Sequence, residues 1–446
     1  TFIWKGIDGS EVLAHMPPEG TYNSSAAPRA IAKTEKEFLD KGVSDRALLL
    51  FGIGDGGGGP GQEHLERLKR QKNLNGLVPV VQEPAINFFQ RIEKDKDKYK
   101  KWHGELYLER HQGTYTSQAR SKRYNRKLEI NLRELEFAAV FAHLISGKEY
   151  PQSQLEKIWK EVLLYQFHDI LPGSSITRVY DESLERYAKL METTENMIED
   201  SYLSIIDKID PGDARNYIVA VNSLSWDRQQ WIKHEDKWIK VEVPALGYKV
   251  VDLDRDVEVP VMEIEQDNVL ENDKLRVVFA SDGSIESVYD KECHREVLDK
   301  NQRSNRLIVY EDHGDAWDFP IQYDEYPGES FELVDSTTYI DGPKVIRKSR
   351  YSYGKSTLTQ EVVLTYGSKR VDFNTVVDWK EDNKMLRSLF SVNAYSHEVT
   401  CDIQFGNIKR PTHENTSWDM AKYEICAHKW VDISQGDYGV ALLNDC

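Results

Sequence analysis

The sequence predicts a multidomain chain in which an α/β region, a helical region and a β region follow one another. Across residues 1–110, short apolar runs alternate with polar stretches of helical spacing. Residues 115–208 keep a helical period throughout. From residue 216 onward, apolar runs are separated by Gly, Asp, Asn and Ser, which indicates strands without intervening helices.

In the first region, a strand–helix–strand alternation predicts parallel strands packed between helices. Residues 47–51 form an apolar run that ends in glycines, as a strand buried on both faces does. A helix-like segment from about 62 to 72 follows, and residues 77–81 form the next strand-like run. This order is typical of an α/β fold.

In the second region, three apolar stripes predict three amphipathic helices that form an antiparallel bundle. The second stripe stops at 171–173, and Asp-Pro-Gly at 210–212 ends the third. The stripes consist of Leu128, Leu132, Leu135, Ala139 and Ala142; of Leu155, Ile158, Trp159, Val162 and Leu163; and of Leu184, Tyr187, Met191, Ile198, Tyr202 and Ile205.

The third region predicts sandwich-like sheets because its strand-like runs follow one another without helical spacing between them. These runs lie at 217–221, 275–279, 307–310, 361–366 and 371–377.

Composition narrows the function classes. A formal net charge of -17 argues against binding to a phosphate backbone, which requires clustered Lys and Arg. The four cysteines show no CxxC and no regular spacing, so neither a disulfide framework nor a thiolate zinc site is indicated, and a reducing compartment is expected. No apolar run approaches the roughly 20 residues of a membrane helix.

The glycine-rich segment 52–59 is the first candidate for chemistry. Residues 52–57 match G-x-G-x-x-G after a strand-like run, the context of dinucleotide binding in an oxidoreductase. Asp55 would repel a pyrophosphate, however, and Pro60 and Gly61 extend the loop where a phosphate-binding helix should begin. A purely structural loop is the second interpretation. We favour a third, in which the glycines let a sugar approach the Asp55 carboxylate at the end of a strand.

The second candidate is His168, which follows the apolar stripe of the second helix and is expected at that helix's end. Neighbouring Asp169 is suited to orient a ring nitrogen. A lone His is more often a hydrogen-bonded structural residue, and a zinc site needs three or four ligands. The His-x-Asp pairs at 234–236 and 313–315 lie in polar segments typical of surface, so the chain shows no complete metal site.

Aromatic residues beside carboxylates are the third candidate. An indole ring can stack on the face of a sugar while a nearby carboxylate accepts hydrogen bonds from the sugar's hydroxyl groups. The pairs suited to this are Trp4 near Asp8, Trp317 between Asp315 and Asp318, and Trp418 before Asp419. A buried core tryptophan is the alternative interpretation for each.

Seven segments, in order along almost the whole chain, resemble motifs of glycoside hydrolase family 38, the α-mannosidases. Each is weakly specific alone, whereas the ordered set is highly specific. The chain is most similar to the cytosolic and bacterial branch, which carries the Gly-Asp-Gly-Gly-Gly-Gly loop. The segments are 2–10, 54–60, 104–109, 114–119, 166–173, 410–413 and 442–446.

The resemblance implies a fold that agrees with the order of the three periodic regions. Residues 1–112 would be the C-terminal part of a seven-stranded β/α barrel, 113–212 a three-helix bundle and 213–446 a β-sandwich region. It also implies hydrolysis of terminal non-reducing α-D-mannose residues with retention of configuration. An Asp nucleophile, a carboxylic general acid and one Zn²⁺ would carry that reaction.

Position by position, the resemblance implies that His168 is a zinc ligand and Asp55 the general acid. A general acid at neutral pH needs a raised pKa, and retention would place its carboxyl group ~5–5.5 Å from that of the nucleophile. The further substrate-binding candidates are Asp8, Trp4, Tyr115, Asp169 and Trp317.

The sequence departs from the family pattern at both ends, since it also stops at Cys446 before the family's last sheet segments normally finish. The barrel strand with the other zinc ligands and the loop with the nucleophile precede residue 2 in that pattern. We therefore expect these 446 residues alone to be inactive and to hold zinc weakly or not at all; the alternative function is non-catalytic carbohydrate binding or scaffolding. The expected partner is an α-mannoside oligosaccharide or a small mannosyl compound in the cytoplasm, without nucleic acid or membrane. A homodimer is one assembly that the resemblance allows.

Overall fold

A computed structural model describes residues 1–255 and 258–445. Backbone contacts divide the chain into two units, Thr1–Tyr107 and Leu108–Cys446. The first unit combines helices with a small mixed sheet, and the second contains long helices followed by antiparallel sheets. The architecture is therefore mixed α and β.

The first unit is built on a three-stranded sheet. It contains strands β1 (Phe2–Lys5), β2 (Glu11–Ala14) and β3 (Lys100–His103) and helices α1 (Pro28–Glu37), α2 (Gln62–Arg70) and α3 (Ala85–Ile92). Strand β1 runs antiparallel to β2 and parallel to β3, and the parallel register places Trp4 beside Trp102. Phe88, Ile92 and Tyr99 form a small buried core. Helix α2 confirms the helix predicted from about residue 62.

The two strands predicted after β2 are wrong. Residues 47–50 have no regular secondary structure, and within this run only Phe51 forms a bridge, parallel to Ser24. Residues 77–81 form no strand, and Val80 donates its N–H to the carbonyl of Lys72 instead. An apolar run becomes a strand only when a neighbouring strand accepts its backbone N–H groups, and apolar spacing does not report that neighbour.

The helical part of the second unit consists of α4 (Ala119–Ser146), α5 (Gln152–Tyr165) and α6 (Thr177–Ile206). These helices share one apolar core, which includes Leu132, Val162 and Tyr187. All five residues of the first predicted stripe are buried, whereas Leu163 in the second stripe is exposed, contrary to the prediction. Helix α4 ends where Gly147 adopts a left-handed conformation (φ 77°), a common helix terminator.

The remaining part of the second unit is β. All five predicted runs lie in strands, and every strand pair is antiparallel. The strands are β4 (Tyr217–Asn222), β5 (Arg228–His234), β6 (Lys237–Val243), β7 (Gly247–Asp252), β8 (Val269–Glu271), β9 (Leu275–Phe279), β10 (Ile285–Asp290), β11 (Arg295–Glu296), β12 (Arg306–Glu311), β13 (Glu329–Ser330), β14 (Glu332–Asp341), β15 (Lys344–Tyr353), β16 (Ser356–Thr365), β17 (Val371–Asp378), β18 (Lys384–Leu389), β19 (Glu398–Ile403), β20 (Gly406–Pro411), β21 (Trp430–Ser434) and β22 (Gly439–Leu443); helix α7 (Ser417–Met420) precedes β21.

The larger sheets are ordered β11–β10–β9–β8, β13–β12–β18, β14–β15–β16–β17 and β20–β19–β21–β22. Their main core joins residues of several strands, among them Leu270, Val277, Ile285 and Leu364. No helix within the described residues has the length and apolar character needed to cross a bilayer.

Candidate active site

The glycine loop of the first unit packs tightly against the segment around Tyr22. Ser24 donates its N–H to the carbonyl of Leu50 (3.1 Å), and Gly52 donates to the carbonyl of Ser24 (3.4 Å). A Cβ atom added at Gly54 would lie 2.1 Å from Oδ1 of Asn23 and 2.6 Å from the Tyr22 ring. A side chain at position 54 would force Asn23 and Tyr22 to move, so the loop is closely packed against this segment.

This packing holds an exposed carboxylate in place. Asp55 adopts a left-handed backbone conformation (φ 56°), which is uncommon for a residue with a side chain. The Tyr22 hydroxyl donates to both Asp55 carboxylate oxygens, at 3.1 and 3.0 Å. The hydrogen bond and the negative charge of Asp55 raise the pKa of Tyr22. Asp55 is thus a solvent-facing carboxylate with a fixed donor on one side.

The same loop lacks the geometry of a dinucleotide site. Helix α2 begins at Gln62 with Gly61 as its N-cap, several residues after the matching glycines. The preceding run has a single bridge at Phe51 instead of a strand in a parallel sheet. A phosphate-binding turn requires a strand that leads directly into a helix N-terminus.

Asp8 and Trp4 lie at one end of the small sheet. Asp8 sits in the turn between β1 and β2, where its carboxylate accepts from the N–H (2.9 Å) and hydroxyl (2.8 Å) of Ser10. These hydrogen bonds lower the pKa of Asp8. The indole of Trp4 is partly exposed and donates to the carbonyl of Gly104 (2.8 Å). Trp4 therefore offers a ring face, whereas the Asp8 carboxylate is engaged within its own turn.

In the second unit, His168 lies in a turn and not at the end of a helix. Helix α5 stops at Tyr165, which corrects the expectation that the helix continues to His168. The turn begins because Phe167 donates its N–H to the carbonyl of Leu164 and Ile170 donates to that of Phe167. The imidazole is 80% exposed and packs against the Phe167 ring, with ring centroids 4.1 Å apart. The side chain is thus accessible to a ligand.

Asp169 is close to this imidazole without a hydrogen bond to it. Its Oδ2 lies 3.6 Å from His168 Nε2, and its Oδ1 accepts from the Ser174 hydroxyl at 3.3 Å. The proposed orienting contact between the two side chains is therefore not formed in this geometry.

The segment that carries Tyr115 touches both the His168 turn and the Trp317 loop. A Cβ atom at Gly113 would lie 2.9 Å from the carbonyl oxygen of Trp317. One at Gly173 would lie 2.6 Å from Cβ of Ser117. These close approaches bring together the backbones on either side of three predicted site residues, Tyr115, His168 and Trp317.

The loop around Trp317 is fixed by two carboxylates. Asp315 accepts from the N–H groups of Asp318 (2.9 Å) and Trp317 (2.8 Å), and these bonds lower its pKa. Asp318 accepts from the backbone N–H of His111, whose ring lies 6.3 Å from that of Trp317. The partly exposed Trp317 ring is consequently held at a defined place.

Sequence reasoning missed three residues that shape these sites: Tyr22, His111 and Lys122. Tyr22 contacts Asp55 from 33 positions away, and His111 contacts Asp318 from 207 positions away, so local spacing carries no signal of either pair. Lys122 donates to the backbone of both the Ser117 segment and the His168 turn. A single lysine near the start of a helix carries no sequence signal of these contacts.

The residues described do not by themselves fit a zinc site. Within residues 1–255 and 258–445, no three His, Cys, Asp or Glu side chains lie close enough together to hold a metal ion. His168 has the chemistry of a ligand and the exposure it needs, with Asp169 as its only carboxylate neighbour in that turn. A metal held at this imidazole would take further ligands from outside these residues.

Three family models match the chain in succession. They are the glycosyl hydrolases family 38 N-terminal domain at 1–105, the alpha mannosidase middle domain at 109–205 and the glycosyl hydrolases family 38 C-terminal domain at 270–446. These domains, in this order, place the chain in a family of glycoside hydrolases. Specifically, the chain belongs to glycosyl hydrolase family 38, as its motifs predicted.

Relatives and solved structures agree with this assignment. Over its whole length the chain is 34% identical to alpha-mannosidase G of Dictyostelium discoideum and to alpha-mannosidase 2C1 of Homo sapiens, covering 47% and 44% of them. The chain thus spans about half the length of the curated relatives it matches, or less. A crystal structure of an alpha-mannosidase from Enterococcus faecalis V583 shares the fold, with a TM-score of 0.74 and 14% identity, over the whole chain and 63% of that structure.

Proposed function

We propose that this chain contributes to an α-mannosidase that removes terminal non-reducing α-D-mannose residues with retention of configuration. Family membership supports this reaction class, and the relatives that match the whole chain are named alpha-mannosidases. The observation that carries the proposal to specific atoms is the exposed Asp55 carboxylate, held by Tyr22 beside glycines that keep its surroundings open.

In this proposal Asp55 delivers a proton to the leaving-group oxygen and later accepts one from water. The Tyr22 hydroxyl fixes which way the carboxylate faces, because it donates to both oxygens. The aromatic rings of Trp4, Tyr115 and Trp317 would stack on sugar rings. The carboxylates of Asp8 and Asp169 would accept hydrogen bonds from sugar hydroxyl groups. The arrangement of the fold would follow the family, as the barrel remainder at 1–112, the three-helix bundle at 113–212 and the β-sandwich at 213–446.

We also propose that His168 is one ligand of a single Zn²⁺, which when bound polarises sugar hydroxyls. The described residues contain no group of three or more His, Cys, Asp or Glu side chains that could hold a metal ion, so Zn²⁺ at His168 would need further ligands. The chain alone would therefore bind zinc weakly and turn over no mannoside. An oligosaccharide or small mannosyl compound is the proposed substrate, in the cytoplasm, with a homodimer as the proposed assembly.

A chimera tests the proposal directly. This chain replaces the matching part of alpha-mannosidase G, and hydrolysis of 4-nitrophenyl α-mannoside is measured. We expect activity that Asp55→Asn lowers by about 10²–10⁴-fold, the usual value of general acid–base catalysis. Asp97→Asn, at an exposed acid of the same unit, is the matched control. Equal rates for the two variants would remove Asp55 from the mechanism.

The second candidate is non-catalytic carbohydrate binding, which the incomplete metal ligand set favours. It predicts that the chain alone binds methyl α-mannoside in preference to methyl α-glucoside, as measured by NMR titration. It also predicts that the folded chimera, with the zinc content of alpha-mannosidase G, hydrolyses nothing. If the chain alone binds methyl α-mannoside but the chimera also hydrolyses its substrate, the enzyme is the better interpretation.

A further inference from the structure

Near the start of α4, Lys122 joins two separate backbone segments. Its ammonium group donates to the carbonyl oxygens of Ser117, Leu171 (2.8 Å) and Pro172 (3.2 Å). An ammonium group has three N–H donors, so all three find acceptors here. Two of these carbonyls lie in the turn that carries His168, and the third ends the segment that carries Tyr115.

The Tyr115 segment is bounded by residues in uncommon backbone conformations, and the His168 turn ends at a tightly packed glycine. His111 (φ 70°) and Gln118 (φ 56°), which flank the Tyr115 segment, are left-handed residues with side chains. Gly173 is also left-handed (φ 101°), and no Cβ fits there because Ser117 lies against it. Such conformations persist when neighbouring groups hold them, and they cluster at functional sites.

Burying part of the Lys122 ammonium group costs hydration free energy, which indicates that its hydrogen bonds stabilise this region. Lys122 is half-buried, its acceptors are neutral carbonyls, and burial lowers its pKa to about 8. A lysine that served solubility would keep its charge in water, as long charged side chains usually do. Here the ammonium group gives up hydration and gains hydrogen bonds to two segments in return.

We propose that Lys122 is a positioning residue, which fixes the turn 166–173 onto the segment 113–118 and so sets where His168 and Tyr115 are presented. That these side chains form a mannoside site rests on the proposed function above, whereas the joining of the two segments does not. Lys122 touches neither side chain in this role. Its effect passes through the carbonyls of Ser117, Leu171 and Pro172.

Hydrogen–deuterium exchange of the full chain tests the proposal. In Lys122→Met, which keeps the aliphatic stem, we expect the amides of Ile170 and Gly173 to exchange about tenfold faster or more. These amides are bonded to Phe167 and Ile170 within the turn. The amides of the helical core should not change. Lys127→Met is the matched control, because Lys127 lies on the same helix and pairs with Asp445.

An unchanged exchange rate in the turn of Lys122→Met would overturn the proposal. If this variant loses protection throughout the helices, Lys122→Arg decides, because its planar head cannot reach the same three carbonyls. A folded Lys122→Arg with a turn loosened about threefold or more supports the proposal. One with a fully protected turn overturns it.

Sugar binding separates this inference from the proposed function. We expect Lys122→Met to weaken binding of methyl α-mannoside about tenfold in an NMR titration, while Lys127→Met binds as the unmodified chain does. If the unmodified chain binds no mannoside, carbohydrate binding by the chain alone is excluded, and the exchange rates still decide whether Lys122 joins the segments. If exchange accelerates and affinity does not change, Lys122 does not position the sugar site.

Discussion

The glycine loop around Asp55 and the turn around His168 present chemistry in opposite ways. At Asp55 the functional side chain itself is held, because Tyr22 donates to both carboxylate oxygens. At His168 the backbone is held, through Lys122, while the imidazole is exposed beside Phe167 and Asp169. A proton-transfer group must be held within hydrogen-bond reach of the atom it protonates. A metal-ligating imidazole is normally oriented by a hydrogen bond to its second nitrogen, a bond that His168 and Asp169 do not form.

The largest expected effect is on the backbone of the His168 turn. Gly173→Ala adds a side chain at φ 101° and within 2.6 Å of Ser117, so we expect a loss of about 2–4 kcal/mol in the free energy of unfolding. Chemical denaturation measures it. Gly147→Ala is the control, since Gly147 is also left-handed but has nothing within 4 Å. Equal losses in the two variants would show that the turn is not tightly packed.

A smaller effect is expected in the glycine loop. Gly54→Ala places a methyl group against Asn23 and Tyr22, and we expect a loss of about 1–3 kcal/mol. Gly59→Ala in the same loop meets open space and should change stability by less than about 0.5 kcal/mol. Denaturation curves for both variants check this. Should Gly54→Ala be harmless, the loop is free to move and Asp55 is not held by it.

Acidification should affect the first unit through His15. Burial lowers the pKa of His15 to about 4 from an ordinary 6.5, so the unfolded chain takes up the proton first as pH falls. The stabilisation is present above pH 6.5 and is lost between about pH 6.5 and 4. Allowing for partial exposure, we expect about 1–2 kcal/mol. Chemical denaturation at about pH 6.5 and pH 4 measures this loss in the unmodified chain and in His15→Gln. An equal loss of stability in His15→Gln would exclude His15 as the cause.

The smallest effect concerns the Tyr22 phenol. Because Asp55 raises the pKa of Tyr22, Asp55→Asn should let that phenol ionise at lower pH. An ultraviolet difference titration of Asp55→Asn against Asp55→Asn/Tyr22→Phe isolates this one group among the tyrosines. The difference between the unmodified chain and Tyr22→Phe gives the reference titration of Tyr22 with Asp55 present. Coincident titrations would show that Tyr22 does not contact the carboxylate in solution.

The sequence predicted much of the fold because helical and β periodicity are local properties. Helix α4 and the antiparallel strands lie where their spacing placed them. The runs at 47–51 and 77–81 failed because a strand depends on a partner that spacing does not reveal. Similarly, Asp55 and His168 were found through motifs, whereas their supports, Tyr22 and Lys122, act across chain distances that no motif spans.

The pair of indoles on the small sheet has a spectroscopic consequence. Trp4 and Trp102 are adjacent in the parallel register, and their ring N–H groups bind the successive carbonyls of Gly104 and Glu105. Two indoles held side by side couple their strong far-ultraviolet transitions, which gives a paired circular-dichroism signal. That signal would report the integrity of strands β1 and β3 without any added label.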